Sequence, residues 1–561
     1  MKLKKLLEQI EYKCVQGTVD VEVKNLMNDS RRVEEGSLFF CIKGAVTDGH
    51  KYVPDVVARG AKVLVVQDAP ALGAEQMDAK KGRTAIPEDV TVIQVADTRY
   101  AMALMSAAYF GNPANEMRII GLTGTKGKTT TTYMVKSILE SAGYKVGLIG
   151  TIETIIGDEV IPAHNTTPES YTIQEYFRRM ADAGCQVVVM EVSSQGLMLE
   201  RTAGIPFEIG IFTNIEPDHI GPAEHESFED YLECKSRLFR QCRLGILNAD
   251  DAHLDEILKG HTCEVETFGL SEKAGVRAED MRLVSRPGYL GIAYTVSWKN
   301  ASQEAVSGSA DDRVSGKPAL EGVSDDVSGQ EKTRFPVEID IPGKFSVYNS
   351  LAAIAICRHF KVGAADICQS LKGAKVKGRV ELIKVSDEFT LMIDYAHNAM
   401  ALESLLETLR EYRPHRLICV FGCGGNRSKL RRYEMGEVSG RLADLTVITS
   451  DNPRYEEPEA IIADIVTGME KTDGSYLTIT DRKEAIAWAI HHGEPGDIIV
   501  LAGKGHEDYQ EIRGVQYPMD ERVLIREILK EDGQKAAQPE TPDSDDVSFT
   551  PAQRPNGGQE V

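Results

Sequence analysis

A glycine-rich loop between an apolar strand and a helix constrains the fold of this chain more than any other sequence feature. Residues 121–130 read GLTGTKGKTT and overlap the apolar segment 119–122. A helical pattern follows, with apolar residues at Met134, Val135, Ile138 and Leu139. Glycines let backbone N–H groups turn inward onto phosphate, and a lysine can neutralise the terminal phosphates. The sequence therefore predicts an ATP-binding loop formed by Thr123, Gly124, Thr125, Lys126, Gly127, Lys128, Thr129 and Thr130.

The length of the chain predicts several domains. Its 561 residues exceed what one hydrophobic core organises, and at roughly 100 to 200 residues per domain three or four units are expected. No window approaches the ~18 consecutive apolar residues of a membrane span. Residues 1–10 carry charges at helical spacing and lack the apolar region of a signal peptide. We therefore expect an N-terminal amphipathic helix, no membrane span and a cytoplasmic protein.

Charge and cysteine usage limit the classes of partner. The formal net charge of −22 argues against a nucleic-acid partner, which needs a basic field. Anionic small molecules remain possible, because glycine loops and single basic residues can hold them. The 10 cysteines are scattered without a CxxC pair, which indicates free thiols in a reducing compartment.

Apolar strands separated by helix-length segments define a central unit. A strand-rich opening region ends near residue 110, at the turn signal 111–113. Continuous apolar strands then follow at 119–122, 186–190, 209–212 and 245–247. Strands of this kind predict a parallel sheet covered by helices on both faces.

Two segments have compositions that predict disorder. Residues 299–333 are rich in Ser, Gly, Asp and Val, and the tail 532–561 is rich in Pro, Asp, Gln and Gly. Segments with so few large apolar side chains cannot offset the entropy lost on ordering. We therefore expect a disordered surface insertion and a disordered tail.

The third unit repeats an apolar strand that ends in a polar or glycine turn. The four copies are 391–397, 417–425, 446–451 and 498–505. In open α/β sheets, ligands bind at the carboxyl ends of the strands, where these polar residues cluster. The pattern indicates a second α/β domain of the nucleotide-binding type, which faces the central unit.

The spacing of the glycine loop carries a family resemblance. Only two residues separate Gly124 from Gly127, which differs from the usual GxxxxGK[ST] loop. The GTxGKT pattern resembles that of the Mur ligases and their folylpolyglutamate synthase relatives, and the likeness covers nearly all of the chain outside the insertion and the tail. It implies an α/β protein of three domains: a small N-terminal UDP-binding α/β domain (1–110), a central P-loop ATPase with a parallel sheet (111–342), and a C-terminal Rossmann-like, amino-acid-binding domain (343–531).

The resemblance also implies binding residues in each domain. Residues 29–32 look like the UDP-binding module of the family, and residues 165–168 and 191–194 match its sugar-peptide contacts. Hydroxyls and an arginine suit diphosphate and carboxylate oxygens. The implied contacts to the UDP-muramoyl-dipeptide are Ser30, Thr166, Thr167, Ser193 and Arg201, and the further contacts to ATP are Asn349, Arg379 and Asp394.

Four residues are candidates for binding Mg²⁺. Thr129 offers a hydroxyl in the glycine loop, and Glu191 ends an apolar strand, where its carboxylate could meet the same ion. Lys235 lies at the centre of an apolar helix face, where a lysine normally extends its ammonium to water. The resemblance implies instead that Lys235 is carbamylated and binds a second Mg²⁺ together with His219. It assigns the catalytic roles to Lys128, Glu191, His219 and Lys235.

The tetrapeptide DNPR at 451–454 indicates which amino acid the protein adds. Alone it is a turn signal, but the resemblance implies that Arg454 marks enzymes that add meso-diaminopimelate. Diaminopimelate has a distal carboxylate for Arg454 and a distal ammonium for Glu507, whereas lysine lacks that carboxylate. The implied contacts are Arg427, Asp451, Asn452, Pro453, Arg454, Gly503 and Glu507.

These expectations describe a monomeric ligase that uses ATP and Mg²⁺ to join meso-diaminopimelate to UDP-N-acetylmuramoyl-dipeptide. Two alternatives remain open at this point. The chain could add lysine or another amino acid, or it could be a nucleotide-binding relative without turnover. Departures from the family pattern at 220–225 and 398–400 favour the last alternative, and the complete set of catalytic candidates weighs against it.

Overall fold

The structure is a computed structural model that describes residues 1–44, 47–68, 86–218, 220–221, 224–286, 288–299 and 332–536. Residues 300–331 of the predicted insertion and 537–561 of the predicted tail lie outside the described residues, as does His219. Within the described ranges no helix is long and apolar enough to cross a membrane.

The first domain is a five-stranded sheet in the order β1-β5-β4-β3-β2, with helices on its faces. Its elements are α1 (Leu3–Leu6), β1 (Lys13–Gln16), β2 (Asn25–Met27), β3 (Ser37–Phe40), α2 (Val53–Ala58), β4 (Val63–Val66), β5 (Thr91–Gln94) and α3 (Thr98–Tyr109). Strands β3 and β4 are buried along their whole length, as expected for parallel strands covered on both sides. Only β1 pairs antiparallel to its neighbour.

The predicted N-terminal amphipathic helix is much shorter than the ten residues expected. Helix α1 covers four residues, and the chain before it pairs with the segment around Val21. Lys2 forms a bridge with Glu22, and the N–H of Leu3 donates to the Val21 carbonyl oxygen. This pairing holds the start of the chain against residues 19–23.

The central domain is built on an 11-stranded sheet in the order β16-β15-β14-β13-β12-β11-β6-β10-β7-β8-β9. Its elements are β6 (Arg118–Thr123), α4 (Lys128–Ser141), β7 (Val146–Ile149), β8 (Glu153–Ile156), β9 (Glu159–Pro162), α5 (Ser170–Asp182), β10 (Val187–Glu191), α6 (Ser194–Met198), β11 (Phe207–Phe212), α7 (Phe228–Ser236), β12 (Cys242–Asn248), α8 (Leu254–Ile257), β13 (Glu264–Gly269), β14 (Val276–Arg286), β15 (Tyr289–Lys299), β16 (Lys332–Ile339), α9 (Lys344–Cys357) and α10 (Ala364–Lys372).

The middle of this sheet confirms the predicted parallel arrangement. Strands β7, β10, β6, β11, β12, β13 and β14 pair in parallel, and β6, which leads into the glycine loop, lies between β10 and β11. Antiparallel strands extend the sheet at both edges. At one edge Lys299 pairs with Lys332, so these two residues and Thr333 belong to strands and not to the predicted insertion.

The boundary between the second and third domains lies later than the predicted position 342/343. Helix α9 packs against α4, and its apolar residues are buried nearly all round. A single hydrophobic core joins α4, α9 and α10 and continues to Val376. The third domain therefore starts near residue 377, because residues 344–376 bury their apolar surface in the central domain.

The third domain carries a six-stranded sheet in the order β17-β18-β22-β19-β20-β21, and all of its pairs are parallel except β17 with β18. Its elements are β17 (Glu381–Ile383), β18 (Thr390–Asp394), α11 (Ala399–Arg410), β19 (Leu417–Phe421), α12 (Lys429–Leu442), β20 (Leu445–Ile448), α13 (Pro458–Met469), β21 (Ser475–Thr478), α14 (Arg482–His491), β22 (Ile498–Ala502), β23 (Tyr509–Ile512), β24 (Val515–Pro518) and α15 (Glu521–Ala536). Helix α15 extends past residue 532 into the predicted tail. It is anchored by Ile525 and Ile528, which are buried in the core.

Candidate active site

The glycine loop connects β6 to α4 and is held by the end of β11. The N–H of Thr125 donates to the Asn214 carbonyl oxygen at 2.9 Å, and the N–H of Lys126 donates to Asn214 Oδ1 at 2.9 Å. Gly124 has a φ of +147°, and a Cβ added there would lie 1.9 Å from Thr213 Oγ1. The loop therefore needs glycine at this position both for its backbone conformation and for space.

Two lysines converge on one carbonyl oxygen of this loop. Lys128, at the start of α4, donates from Nζ to the Gly124 carbonyl oxygen at 2.8 Å, and Lys235 of α7 donates to the same oxygen at 2.9 Å. Burial lowers the pKa of both ammonium groups, and their mutual repulsion lowers that of Lys235 further, well below its usual value. Lys235 is 1% exposed, so it does not extend to water as an ordinary helix lysine would.

Glu191 is fully buried at the end of β10, beside the glycine loop. Its carboxylate accepts hydrogen bonds from the Thr129 hydroxyl at 3.1 Å, the Thr151 hydroxyl at 2.9 Å and the Thr151 N–H at 2.9 Å. A Cβ added to Gly150 would lie 2.7 Å from Glu191 Oε1, so the glycine leaves room for the carboxylate. The hydroxyl and carboxylate oxygens are hard ligands of the type that Mg²⁺ prefers. The residues present therefore fit a magnesium ion.

The proposed sugar-peptide contacts of the central domain lie around Glu191. Thr167 Oγ1 donates to the Glu191 backbone carbonyl at 3.0 Å and accepts from the N–H of Ser193 at 2.9 Å. Thr166 Oγ1 lies 3.1 Å from Thr151 Oγ1. Arg201 Nη1 donates to the Thr167 carbonyl oxygen at 2.9 Å. These four residues therefore form one polar cluster beside the glycine loop.

Ser30 belongs to a different domain from that cluster. It opens the short 3-10 helix Ser30–Arg32, which Asp29 caps through the N–H of Arg31. Hydrogen bonds from Arg31 lower the pKa of the Asp29 carboxyl to about 2. The turn is thus ordered by its own residues, and its role in UDP binding stays a prediction.

Within 220–225, where the sequence predicts a departure from the family pattern, His225 is anchored to the site. His225 is fully buried, with Nδ1 2.8 Å from Asp230 Oδ2 and Nε2 2.9 Å from Ser194 Oγ. Asp230 lies on α7, the helix of Lys235, and Ser194 begins α6. His225 therefore links the two helices that carry Lys235 and Ser194.

A cavity of about 310 Å³ lies between the central and third domains, next to the glycine loop. Its lining includes Lys126, Gly127, Thr130, Asn248, Phe268, Tyr348, Asn349, Arg379 and Asp394. Asp394 ends β18 and accepts hydrogen bonds from the N–H groups of Val380 and Ala396, both at 2.8 Å. Burial raises the pKa of this carboxyl. The cavity is therefore lined both by the glycine loop and by the three ATP contacts predicted elsewhere in the chain, Asn349, Arg379 and Asp394.

A second cavity, also of about 310 Å³, opens at the carboxyl ends of the third domain's strands. Six of the seven residues predicted to contact the amino acid line it: Arg427, Asp451, Asn452, Arg454, Gly503 and Glu507. Pro453 is buried outside the lining, and a Cβ added to Gly425 would lie 1.9 Å from its carbonyl oxygen. Pro453 therefore packs against the turn at Gly425, and its contact with the amino acid stays a prediction.

The lining of the second cavity carries charges of both signs. Glu507 accepts hydrogen bonds from Asn452 Nδ2 at 3.0 Å and from Lys504 Nζ at 2.8 Å. Arg454 donates from Nε to Glu511 at 3.0 Å and from Nη1 to the Gly425 carbonyl oxygen at 2.9 Å. The cavity can therefore offer a guanidinium to a carboxylate and a carboxylate to an ammonium group.

Two residues that hold the second cavity were not predicted from the sequence. Lys504 is fully buried and joins Glu507 to Asn452. Arg432 is 1% exposed and forms ion pairs with Glu456 and Asp464. A charged residue in a glycine turn or on a helix is usually solvated. Lys504 is buried with Glu507, three residues further on, and with the distant Asn452, whereas both acidic partners of Arg432 are distant in the sequence.

Three family models match successive parts of the chain. The model described as the Mur ligase family, catalytic domain, matches residues 22–110, the Mur ligase middle domain matches 122–357, and the Mur ligase, glutamate ligase domain matches 378–505. Their limits agree with a third domain that begins near residue 377. The chain belongs to the Mur ligase family.

Curated relatives match over nearly their whole length. The UDP-N-acetylmuramoyl-L-alanyl-D-glutamate--2,6-diaminopimelate ligase 1 of Clostridium acetobutylicum is 41% identical, covering 95% of this chain and 100% of the relative. The ligase of that name from Clostridium perfringens is 38% identical, covering 94% and 100%. A solved structure of a UDP-N-acetylmuramoyl-L-alanyl-D-glutamate--2,6-diaminopimelate ligase is 26% identical, with a TM-score of 0.65 over 95% of this chain and 99% of that one.

Proposed function

We propose that this chain is an ATP-dependent ligase that joins meso-2,6-diaminopimelate to the D-glutamyl carboxylate of UDP-N-acetylmuramoyl-L-alanyl-D-glutamate in peptidoglycan biosynthesis. The observation that carries the proposal is the second cavity, where the Arg454 guanidinium and the Glu507 carboxylate share one lining. A carbon that bears both a carboxylate and an ammonium matches this pair, and lysine lacks such a carbon at its far end.

The reaction proceeds through an acyl phosphate. The D-glutamyl carboxylate oxygen attacks the γ-phosphorus of ATP and releases ADP, and the amine of diaminopimelate then attacks the acyl carbon. The tetrahedral intermediate expels phosphate, and the amine loses a proton as the amide forms. Lys128 disperses charge on the phosphates in the first step, which is the main catalytic need of phosphoryl transfer.

Substrate positions follow from where the polar groups lie. ATP occupies the cavity between the domains, with its phosphates on the glycine loop and its nucleoside near Asn349 and Asp394. The muramoyl-dipeptide lies along Thr166, Thr167, Ser193 and Arg201, and its UDP reaches the turn at Ser30. The third domain brings the amine of diaminopimelate toward the acyl phosphate and excludes water from it.

We propose that the site for ATP also holds two Mg²⁺ ions. Thr129 and Glu191 would hold one ion, and His219 and carbamylated Lys235 would hold a second. When bound, the ions supply positive charge to the phosphate oxygens during transfer. We further propose that the protein acts as a monomer in the cytoplasm.

The carbamate on Lys235 gives a prediction. A neutral lysine amine adds to carbon dioxide and releases a proton, and burial lowers the pKa of Lys235 in the direction that favours the neutral amine. Lys235→Ala should lower kcat about a hundredfold or more, since a charge-stabilising metal site is lost. Short carboxylic acids should restore part of the activity by refilling the place of the carbamate.

Isotope-labelled bicarbonate measures the carbamate directly. The wild type should show a carbamate carbon resonance by NMR, and Lys235→Ala should lack it. Lys259→Ala, which alters an exposed lysine of the same domain, should match the wild type in both assays. Full activity of Lys235→Ala without added acid would contradict the prediction.

A product-mass assay tests the proposed function. Purified protein is incubated with UDP-muramoyl-dipeptide, ATP and each member of a panel of amino acids, and the masses of the products are measured by mass spectrometry. The proposal expects the mass of the meso-diaminopimelate adduct. An adduct with lysine but not with diaminopimelate would assign a different substrate, and the absence of every adduct would indicate a nucleotide-binding relative without turnover.

A further inference from the structure

We propose that Glu511 is the residue that positions Arg454 and so sets the choice of amino acid. This inference rests on the proposed function of the second cavity. Glu511 does not line that cavity, and it lies 57 residues further along the chain than Arg454, on the hairpin formed by β23 and β24. Its part is to position Arg454, not to touch the substrate.

The hairpin forms hydrogen bonds with both the N–H and the carbonyl oxygen of Arg454. The N–H of Arg454 donates to the Glu511 carbonyl oxygen at 2.9 Å, and the N–H of Arg513 donates to the Arg454 carbonyl oxygen at 2.7 Å. Arg454 has a φ of +53°, a left-handed conformation that costs free energy in a residue other than glycine. The conformation persists because the hairpin supplies these two bonds, and it directs the side chain back over the loop of Gly424 and Gly425.

Hydrogen bonds hold the guanidinium of Arg454 in one position. Nε donates to the Glu511 carboxylate at 3.0 Å, and Nη1 donates to the Gly425 carbonyl oxygen at 2.9 Å. A Cβ added to Gly424 would lie 2.7 Å from Nη1, so a larger residue there would displace the guanidinium from this position. With Nε occupied, Arg454 can meet a carboxylate only through the edge formed by Nη1 and Nη2. Glu511 therefore decides which edge of the guanidinium is free for substrate.

The side-chain amide of Asn452 connects Glu511, which holds the Arg454 guanidinium, to Glu507, the acidic residue of the cavity. Asn452 Oδ1 accepts from the N–H of Glu511 at 2.8 Å and from Lys504 Nζ at 3.0 Å. Asn452 Nδ2 donates to Glu507 at 3.0 Å. The guanidinium edge and the Glu507 carboxylate are thus held at a fixed separation through Asn452. Loss of the Glu511 side chain would release the guanidinium end of this arrangement and leave the carboxylate end in place.

Two variants of Glu511 test the inference. Glu511→Ala frees Nε and lets the guanidinium turn, so we expect the KM for diaminopimelate to rise on the order of tenfold. We expect kcat and the KM for ATP to change little, and the ratio of kcat/KM for diaminopimelate over lysine to fall. Glu511→Gln keeps an oxygen that accepts from Nε, so it should recover most of the KM and of the ratio.

Glu457→Ala is the matched control, because Glu457 is an exposed acid that pairs with an arginine of the same hairpin. Wild-type ligation of diaminopimelate is measured first, since its absence would overturn the proposed function itself. Given that activity, an unchanged KM and ratio in Glu511→Ala would overturn the role of Glu511. A loss that Glu511→Gln does not relieve, or an equal loss for ATP and diaminopimelate, would also overturn it, because it would reflect general damage to the domain.

Discussion

Lys128→Ala should lower the rate of acyl-phosphate formation about a thousandfold or more while UDP-substrate binding stays largely intact. The Lys128 ammonium lies at the glycine loop, 2.8 Å from the Gly124 carbonyl oxygen, where it can meet the phosphates of ATP. The proposed UDP contact at Ser30 belongs to another domain. Release of ADP in a single turnover measures the chemical step, and isothermal titration measures binding of the UDP-substrate.

Lys136→Ala is the matched control, because Lys136 lies on the same helix and pairs with Glu140. It should retain the wild-type rate of ADP release. Equal loss of ATP turnover and of UDP-substrate binding in Lys128→Ala would contradict the assignment of Lys128 to the phosphates of ATP and not to the UDP-substrate.

Arg454→Ala should lose about a hundredfold in kcat/KM for diaminopimelate, since truncating one partner of a desolvated charge pair costs about 2 to 5 kcal/mol. The Arg454 side chain is 20% exposed and already paired with Glu511, so the effect should be smaller than for a fully buried, unpaired charge. The wild type should prefer diaminopimelate strongly over lysine. The measurement is kcat/KM for both amino acids with both enzymes.

Arg441→Ala, which removes an exposed arginine of α12 paired with Glu403, should leave both values unchanged. The affinities of Arg454→Ala for ATP and for the UDP-substrate should also be nearly those of the wild type. A wild type that prefers lysine, or a variant whose ratio is unchanged, would show that Arg454 does not bind the distal carboxylate.

The parts of the fold that local patterns determine were predictable from the sequence. The strand, glycine loop and helix at 119–139 follow from a short run of residues, and the structure has β6 and α4 there. The sequence predicts Lys235 on an apolar helix face, and the structure has it buried on α7. In both cases neighbours three or four residues apart determine the environment.

Features that depend on distant packing were not predictable in the same way. The sequence predicts that residues 344–357 belong to the third domain, but helix α9 buries its surface in the core of α4. Its apolar residues surround the whole helix, which is typical of a buried helix and could have signalled this position. The pairing of Arg454 with Glu511 had no local signal, since it depends on where the hairpin of β23 and β24 folds back.

Ligation of diaminopimelate through an acyl phosphate transfers one carboxylate oxygen to phosphate, so a single reaction with an isotope-labelled substrate tests it. The D-glutamyl carboxylate of the UDP-substrate carries heavy oxygen, and the protein is supplied with ATP and meso-diaminopimelate. We predict the amide product, ADP, and inorganic phosphate that has gained one heavy oxygen atom from the carboxylate. Amide product accompanied by unlabelled phosphate, or by AMP and pyrophosphate, would contradict the account.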